Sequence, residues 1–199
     1  MKFIIIFLSA FQYVPYFISM YKGKTQPSIS RWCCFSLSLF ITLIASLSIG
    51  AHSVIISCGL SLLCQILIII MGLSLGNAFR PDYFERLTLW GVMGGVFIWV
   101  FTRDPEHSIY VNILVDTVGT LLIIKKLCAH AETESPLTWF IGTLGSGLSV
   151  WYFILDTGAG FYYLVTLFIS NVAVFSLILY QKIAVYIKSD LNHSVLPED

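Results

Sequence analysis

The chain has 199 residues, of which 57% are hydrophobic and only 11% charged, and its formal net charge is zero. Soluble domains carry about 25% charged residues, so this sequence has too few charges to cover a water-facing surface. It also lacks the basic face that nucleic acid needs and the acidic tail that draws cationic partners, which excludes both.

The stretch after Met1-Lys2 begins like a secretory signal, but apolar character continues to Tyr21 with no small-x-small cleavage site. It reads as a retained first helix. Crossing about 30 Å of hydrocarbon takes about 20 apolar residues in a helix. Seven stretches approach that length: 3–21, 32–51, 53–76, 87–101, 109–127, 137–155 and 160–186. Their apolar runs are continuous instead of alternating, so they predict helices and not a closed barrel. The expected fold class is an all-α membrane protein with seven transmembrane helices.

In the first stretch Pro15 withdraws a backbone N–H, which predicts a kink and a candidate hinge. Gln65 in the third stretch places an amide at membrane depth. Gly91 and Gly95 in the fourth have the spacing that lets helices approach closely. The fifth carries Asp116 about seven residues in, roughly 10 Å below its end. A carboxylate at that depth costs about 2.5–3.5 kcal/mol on insertion scales, and such groups usually face a cavity or a partner. Asp116 is therefore the proton-coupling candidate, with Asn112 and Thr120 four residues to either side on the same face. The alternative is a structural hydrogen bond to a neighbouring helix.

The sixth stretch holds Gly142, Gly145 and Gly147, spaced like a nucleotide loop but inside a span with no preceding strand, so packing is the expected role. It also holds Trp151. In the seventh, Asn171 either hydrogen-bonds a polar solute or glues helices together. The five cysteines and four histidines show no metal-ligand spacing and no disulfide framework, so no metal or other cofactor is expected. No second inward carboxylate and no nucleophile with a base accompanies Asp116, which argues against an enzyme.

Lys22, Lys24, Arg31, Arg80, Arg86, Lys125, Lys126, Lys182 and Lys188 all fall on one side of the alternating spans, whereas Lys2 and Arg103 fall on the other. The positive-inside rule then places the N-terminus outside and the C-terminus in the cytoplasm. On that topology the sequon Asn192-His193-Ser194 is cytoplasmic and accidental.

One constant shift carries Trp32 onto Trp139, Ser28 onto Ser135, Leu37 onto Leu144 and Leu60 onto Leu167. It lays the first three stretches over the last three. The fourth stretch restores direction, so the two units would be parallel repeats, a 3+1+3 arrangement with an axis along the membrane normal. The expected division is 1–76 for the first repeat, 77–107 for the linker helix and its loops, and 108–199 for the second repeat with a short tail.

Tyr13, Pro15, Tyr16, Gly23-Lys24-Thr25, Pro27-Ser28 and Trp32, followed by Asp116, Gly119-Thr120, Glu134-Ser135-Pro136 and Trp139, give the chain a resemblance to the SWEET and PQ-loop superfamily of transporters. The signature dipeptide is reversed as Gln26-Pro27, the fifth stretch has no proline, and Cys64 stands opposite Asn171. The resemblance implies a small polar solute of the sugar or amino-acid class. Alternating access between two bundles would move it, with Asn171, Trp151, Gln65, Tyr16 and Asn112 as solute-binding residues, Asp116 coupling protons and Pro15 as hinge. It further implies a bacterial inner (plasma) membrane, with the lipid bilayer and a second copy of the chain as the other partners. The competing expectation is a receptor, scaffold or assembly factor of the same fold that moves nothing.

Overall fold

The computed structural model describes residues 1–23, 25, 27–129, 134–155 and 158–195, with side chains up to 184 apart from 126 and 129. Lys24, Gln26 and His130, and the side chains of Lys126, Lys188 and Asn192-His193-Ser194, lie outside the described residues. Within them the chain is wholly helical: α1 Lys2–Phe11, α2 Val14–Tyr21, α3 Ile29–Ser48, α4 His52–Ser74, α5 Tyr83–Thr102, α6 Pro105–Ala129, α7 Pro136–Tyr152 and α8 Ala159–Val195. Six segments are long and apolar enough to cross a membrane, namely Lys2–Tyr21, Ile29–Ser48, His52–Ser74, Tyr83–Thr102, Pro105–Lys125 and Ala159–Ala184. The 17-residue α7 spans about 26 Å at helical rise.

Local chemistry sets several boundaries. The first stretch is not one helix but two, because Pro15 falls in the first turn of α2 and has no N–H to give the turn before it. At the break Tyr13 N reaches Ala10 O at 3.0 Å, and regular bonding resumes with Phe17 N on Tyr13 O at 2.9 Å. Helix α5 starts earlier than apolarity implies, because Asp82 and Glu85 form a capping box. Glu85 N donates to Asp82 Oδ1 at 2.7 Å, and Asp82 N donates to Glu85 Oε2 at 3.2 Å. Arg103 ends α5 with φ 57° and its N–H on Trp99 O. Pro105 then opens α6, where a fixed φ suits a first turn.

The hydropathy is inverted relative to a soluble domain. Phe3, Trp90, Phe97, Phe101 and Leu155 are exposed, whereas Ser38, Thr42, Ser46, Ser108 and Asn112 are completely buried. Such an exterior requires hydrocarbon as its solvent, so the chain is an integral membrane protein.

Helix α4 packs on α3 and α1, and α8 packs on α7 and α6; α3 lies against α6, α1 against α7, and α4 meets α8. Helix α5 lies on α6 and α3. Gly91 and Gly95 permit that approach, since a Cβ on them would meet Val115 Cγ2 at 3.0 Å and Val111 Cγ1 at 3.2 Å. One core, with Ile5, Leu43, Val54, Ile109, Phe153 and Leu164, is shared by α1, α3, α4, α6 and α8 at one end of the molecule. Toward the other end the core divides. Tyr13, Tyr16, Met20 and Ile68 form one part and Ile123, Leu127, Val174 and Ile178 the other.

Candidate functional site

Between the two divided cores lies a cavity of about 190 Å³, somewhat larger than the ~150 Å³ void that holds a benzene-sized molecule. Its wall combines helix-breaking and helix-thinning positions. The α1/α2 break presents Gln12, Tyr13 and Tyr16, while Gly142 and Gly145 thin α7. A Cβ on Gly142 would sit 2.5 Å from Gln12 Oε1 and 3.1 Å from Asn171 Oδ1, so glycine is what allows both amides to converge there.

The polar groups of the wall form short local networks. Asn171 Nδ2 donates to Ser146 Oγ at 3.2 Å and to Gly142 O at 3.4 Å. Gln65 Nε2 donates to Tyr13 OH at 3.2 Å, and Trp32 Nε1 donates to Tyr16 OH at 3.2 Å. Gln12 Nε2 donates to Ser9 O at 2.9 Å, and Ser61 Oγ reaches the same carbonyl at 3.0 Å. At the deep end Tyr163 OH donates to Asp116 Oδ2 at 2.8 Å and Ser38 also faces the carboxyl, while Gln65 Oε1 is buried without a hydrogen-bond partner among the described residues. An unpartnered amide oxygen in the cavity wall is suited to a ligand that donates a hydrogen bond.

Near the α2/α3 and α6/α7 connections the wall contains Ser28, Arg31, Trp32, Glu134 and Trp139. Arg31 is held there by Glu85 from α5, with Nη2 and Oε1 3.4 Å apart. Glu85 is buried and also accepts from Ser28 Oγ at 2.8 Å and from Ser30 Oγ. The shared apolar core lies at the opposite end.

Asn171, Gln65, Tyr16 and Asp116 are thus brought to one cavity. Trp151 is not on its wall and is exposed near the end of α7. Asn112 is not on the wall either; it is fully buried between α5 and α6, with its Oδ1 3.7 Å from a Cβ built on Gly95. Pro15 sits just past the α1/α2 break. Sequence reasoning missed Tyr163, Gln12 and the Glu85–Arg31 pair. Only Glu85 had a local signal, its place three residues after Asp82 at a helix start. No protein-family model, curated protein or solved structure matches the chain.

Proposed function

We propose that this protein carries a small polar solute across the membrane by alternating access, as the SWEET and PQ-loop resemblance implies. The observation that carries the reading is the correspondence of the two halves of the cavity wall. The shift that moves Trp32 onto Trp139 also moves Ser9 onto Asp116, Tyr13 onto Thr120, Arg31 onto Thr138 and Leu39 onto Ser146, and every one of these residues lines the cavity. Contacts correspond as well. Gly142 against Gln12 is the image of Phe35 against Gly119, where a Cβ would meet ring Cε1 at 2.6 Å. A cavity on the axis between two repeats is where such transporters bind their cargo.

The packing pairs favour a 3+1+3 plan: α1–α2, α3 and α4 in residues 1–76, α6, α7 and α8 in 108–199, and α5 as the linker between them. With the basic loops cytoplasmic, the shared core closes the outer end and the cavity faces inward. In this reading Asn171, Gln65 and Tyr16 hydrogen-bond the solute, Asp116 exchanges a proton, and rocking about the α1/α2 break opens the outer end.

The test is uptake of pooled labelled sugars and amino acids into proteoliposomes by wild type and Asn171→Ala, with and without a pH gradient. Uptake that Asn171→Ala abolishes in folded protein supports the reading. No uptake by folded wild type, with a protein partner crosslinked through the loops, supports a binding or assembly role.

A further inference from the structure

Helices α3 and α6 cross with a polar seam between them. Phe35 packs on Gly119 and Ser38 faces Asp116, which sets an antiparallel register. Extended by one turn along each helix, that register pairs Thr42 with Asn112, whose Oδ1 also lies toward Gly95 of α5, and by another turn it pairs Ser46 with Ser108. All five residues beyond Asp116 (Ser38, Thr42, Ser46, Ser108 and Asn112) have 0% exposure.

A dry seam of this composition would be knit by hydrogen bonds across the helices; Ser38 meets Asp116 in that way, but the groups beyond them do not. Among the described residues Ser46 Oγ, Ser108 Oγ and both polar atoms of Asn112 have no hydrogen-bond partner, and Thr42 Oγ1 bonds only Ser38 O on its own helix. Leaving that many buried groups unmet is costly, and bridging water is the general remedy. The seam ends at the first turn of α6, where Asp104, Glu106 and His107 reach solvent and His107 Nδ1 lies 3.0 Å from Asp104 Oδ2.

We infer that the α3–α6 seam is a hydrated proton path from the Asp104–His107 end of α6 to Asp116. Along it each Ser or Thr hydroxyl accepts a proton on oxygen from one neighbour and releases its own to the next, the amide of Asn112 anchors water, and Asp116 Oδ1 receives the proton. The groups facing Asp116 are Ser38 from α3, Cys58 from α4 and Tyr163 from α8. Tyr163 occupies Oδ2, so Oδ1 is the oxygen left to exchange. The path extends the proton-coupled part of the proposed function, and its test does not require the solute to be known.

Asp116 borders the cavity and the seam in one conformation, so the path predicts proton entry without any solute. The full chain is reconstituted in liposomes holding a pH-sensitive dye, potassium and valinomycin clamp the potential, and acid is added outside. Wild type is expected to acidify the lumen faster than protein-free vesicles. Asn112→Leu and Thr42→Val are expected to slow that entry about tenfold. The unfolding temperature of Asn112→Leu should hold or rise, because an apolar replacement relieves two unmet polar atoms, and that of Thr42→Val should change little, because its hydroxyl bonds only a carbonyl of its own helix. Thr117→Val, on the exposed face of the same helix, is expected to leave entry unchanged. Wild-type entry no faster than protein-free vesicles, or entry unaffected by both seam variants, overturns the path. A fall in unfolding temperature with unchanged entry makes the seam structural glue instead. Seam-dependent proton entry without solute uptake would sink the transport reading and leave the path standing, whereas solute uptake without proton entry would do the reverse.

Discussion

Tyr163 on α8 and Asp116 on α6 meet through a 2.8 Å hydrogen bond, Tyr163 OH to Asp116 Oδ2, with both side chains buried. The bond fixes one carboxyl oxygen and leaves the other at the junction of cavity and seam. Tyr163→Phe is expected to lower stability by about 1–3 kcal/mol, the range for hydrogen bonds up to those made by charged groups. Thermal unfolding in detergent measures the loss. A cycle with Asp116→Asn isolates the pair, and a coupling energy near zero would show that the bond contributes nothing.

The glycines at the helix crossings differ in what faces them, so they are expected to differ on substitution. Gly119→Ala drives a methyl to 2.6 Å from Phe35 Cε1, and overpacking of this kind costs about 1–3 kcal/mol. Gly59 has nothing within 4 Å of its Cβ position, so Gly59→Ala is expected to be neutral or to stabilise by up to about 1 kcal/mol through helix propensity. Equal unfolding temperatures for the two variants would contradict the close α3–α6 approach.

Glu85 serves two structures at once, the cap of α5 and the anchor of Arg31. Glu85→Ala is expected to cost about 2–4 kcal/mol, because it removes the cap and leaves a mostly buried guanidinium without its partner. Glu85→Gln keeps one acceptor oxygen but loses the charge and the acceptor on the other side, which serves either Ser28 and Arg31 or Ser30 and Asp82 N, so a smaller cost than that of Ala is expected. Chemical or thermal unfolding of the two variants gives the comparison, and a Gln variant as unstable as Ala would show that the remaining amide oxygen contributes nothing without the carboxylate.

If the α1/α2 break is a hinge, Pro15→Ala should close it by restoring a donor for the carbonyl of Phe11. Solute uptake is then expected to slow several-fold with solute affinity unchanged, read from uptake rates against equilibrium binding. A rate equal to wild type would make the break a passive bend.

Some of the candidate site was legible in the sequence because depth in a span is itself a signal. Asp116, Gln65 and Asn171 stood out as polar groups in apolar runs, and all three line the cavity. Asn112 passed the same test and lies instead in the α5–α6 contact, because one face of a helix is wide enough to meet both a cavity and a neighbour. Trp151 shares a helix with cavity residues, but its position near the end of α7 leaves it exposed.

By itself the sequence determined what periodicity and solvent preference determine: helices, their approximate ends, an exterior for lipid, and a break at Pro15. Each follows from local rules, in that an apolar run must satisfy its backbone internally and a proline cannot donate. Tertiary structure alone decided which polar groups meet. The Tyr163–Asp116 bond joins residues 47 apart, and the Ser30–Glu85 contact joins residues 55 apart. The α3–α6 seam likewise depends on the register of two helices far apart in the chain. Such register is set by the summed fit of side chains across a crossing, with Phe35 seated on Gly119, and no local pattern in either helix encodes it.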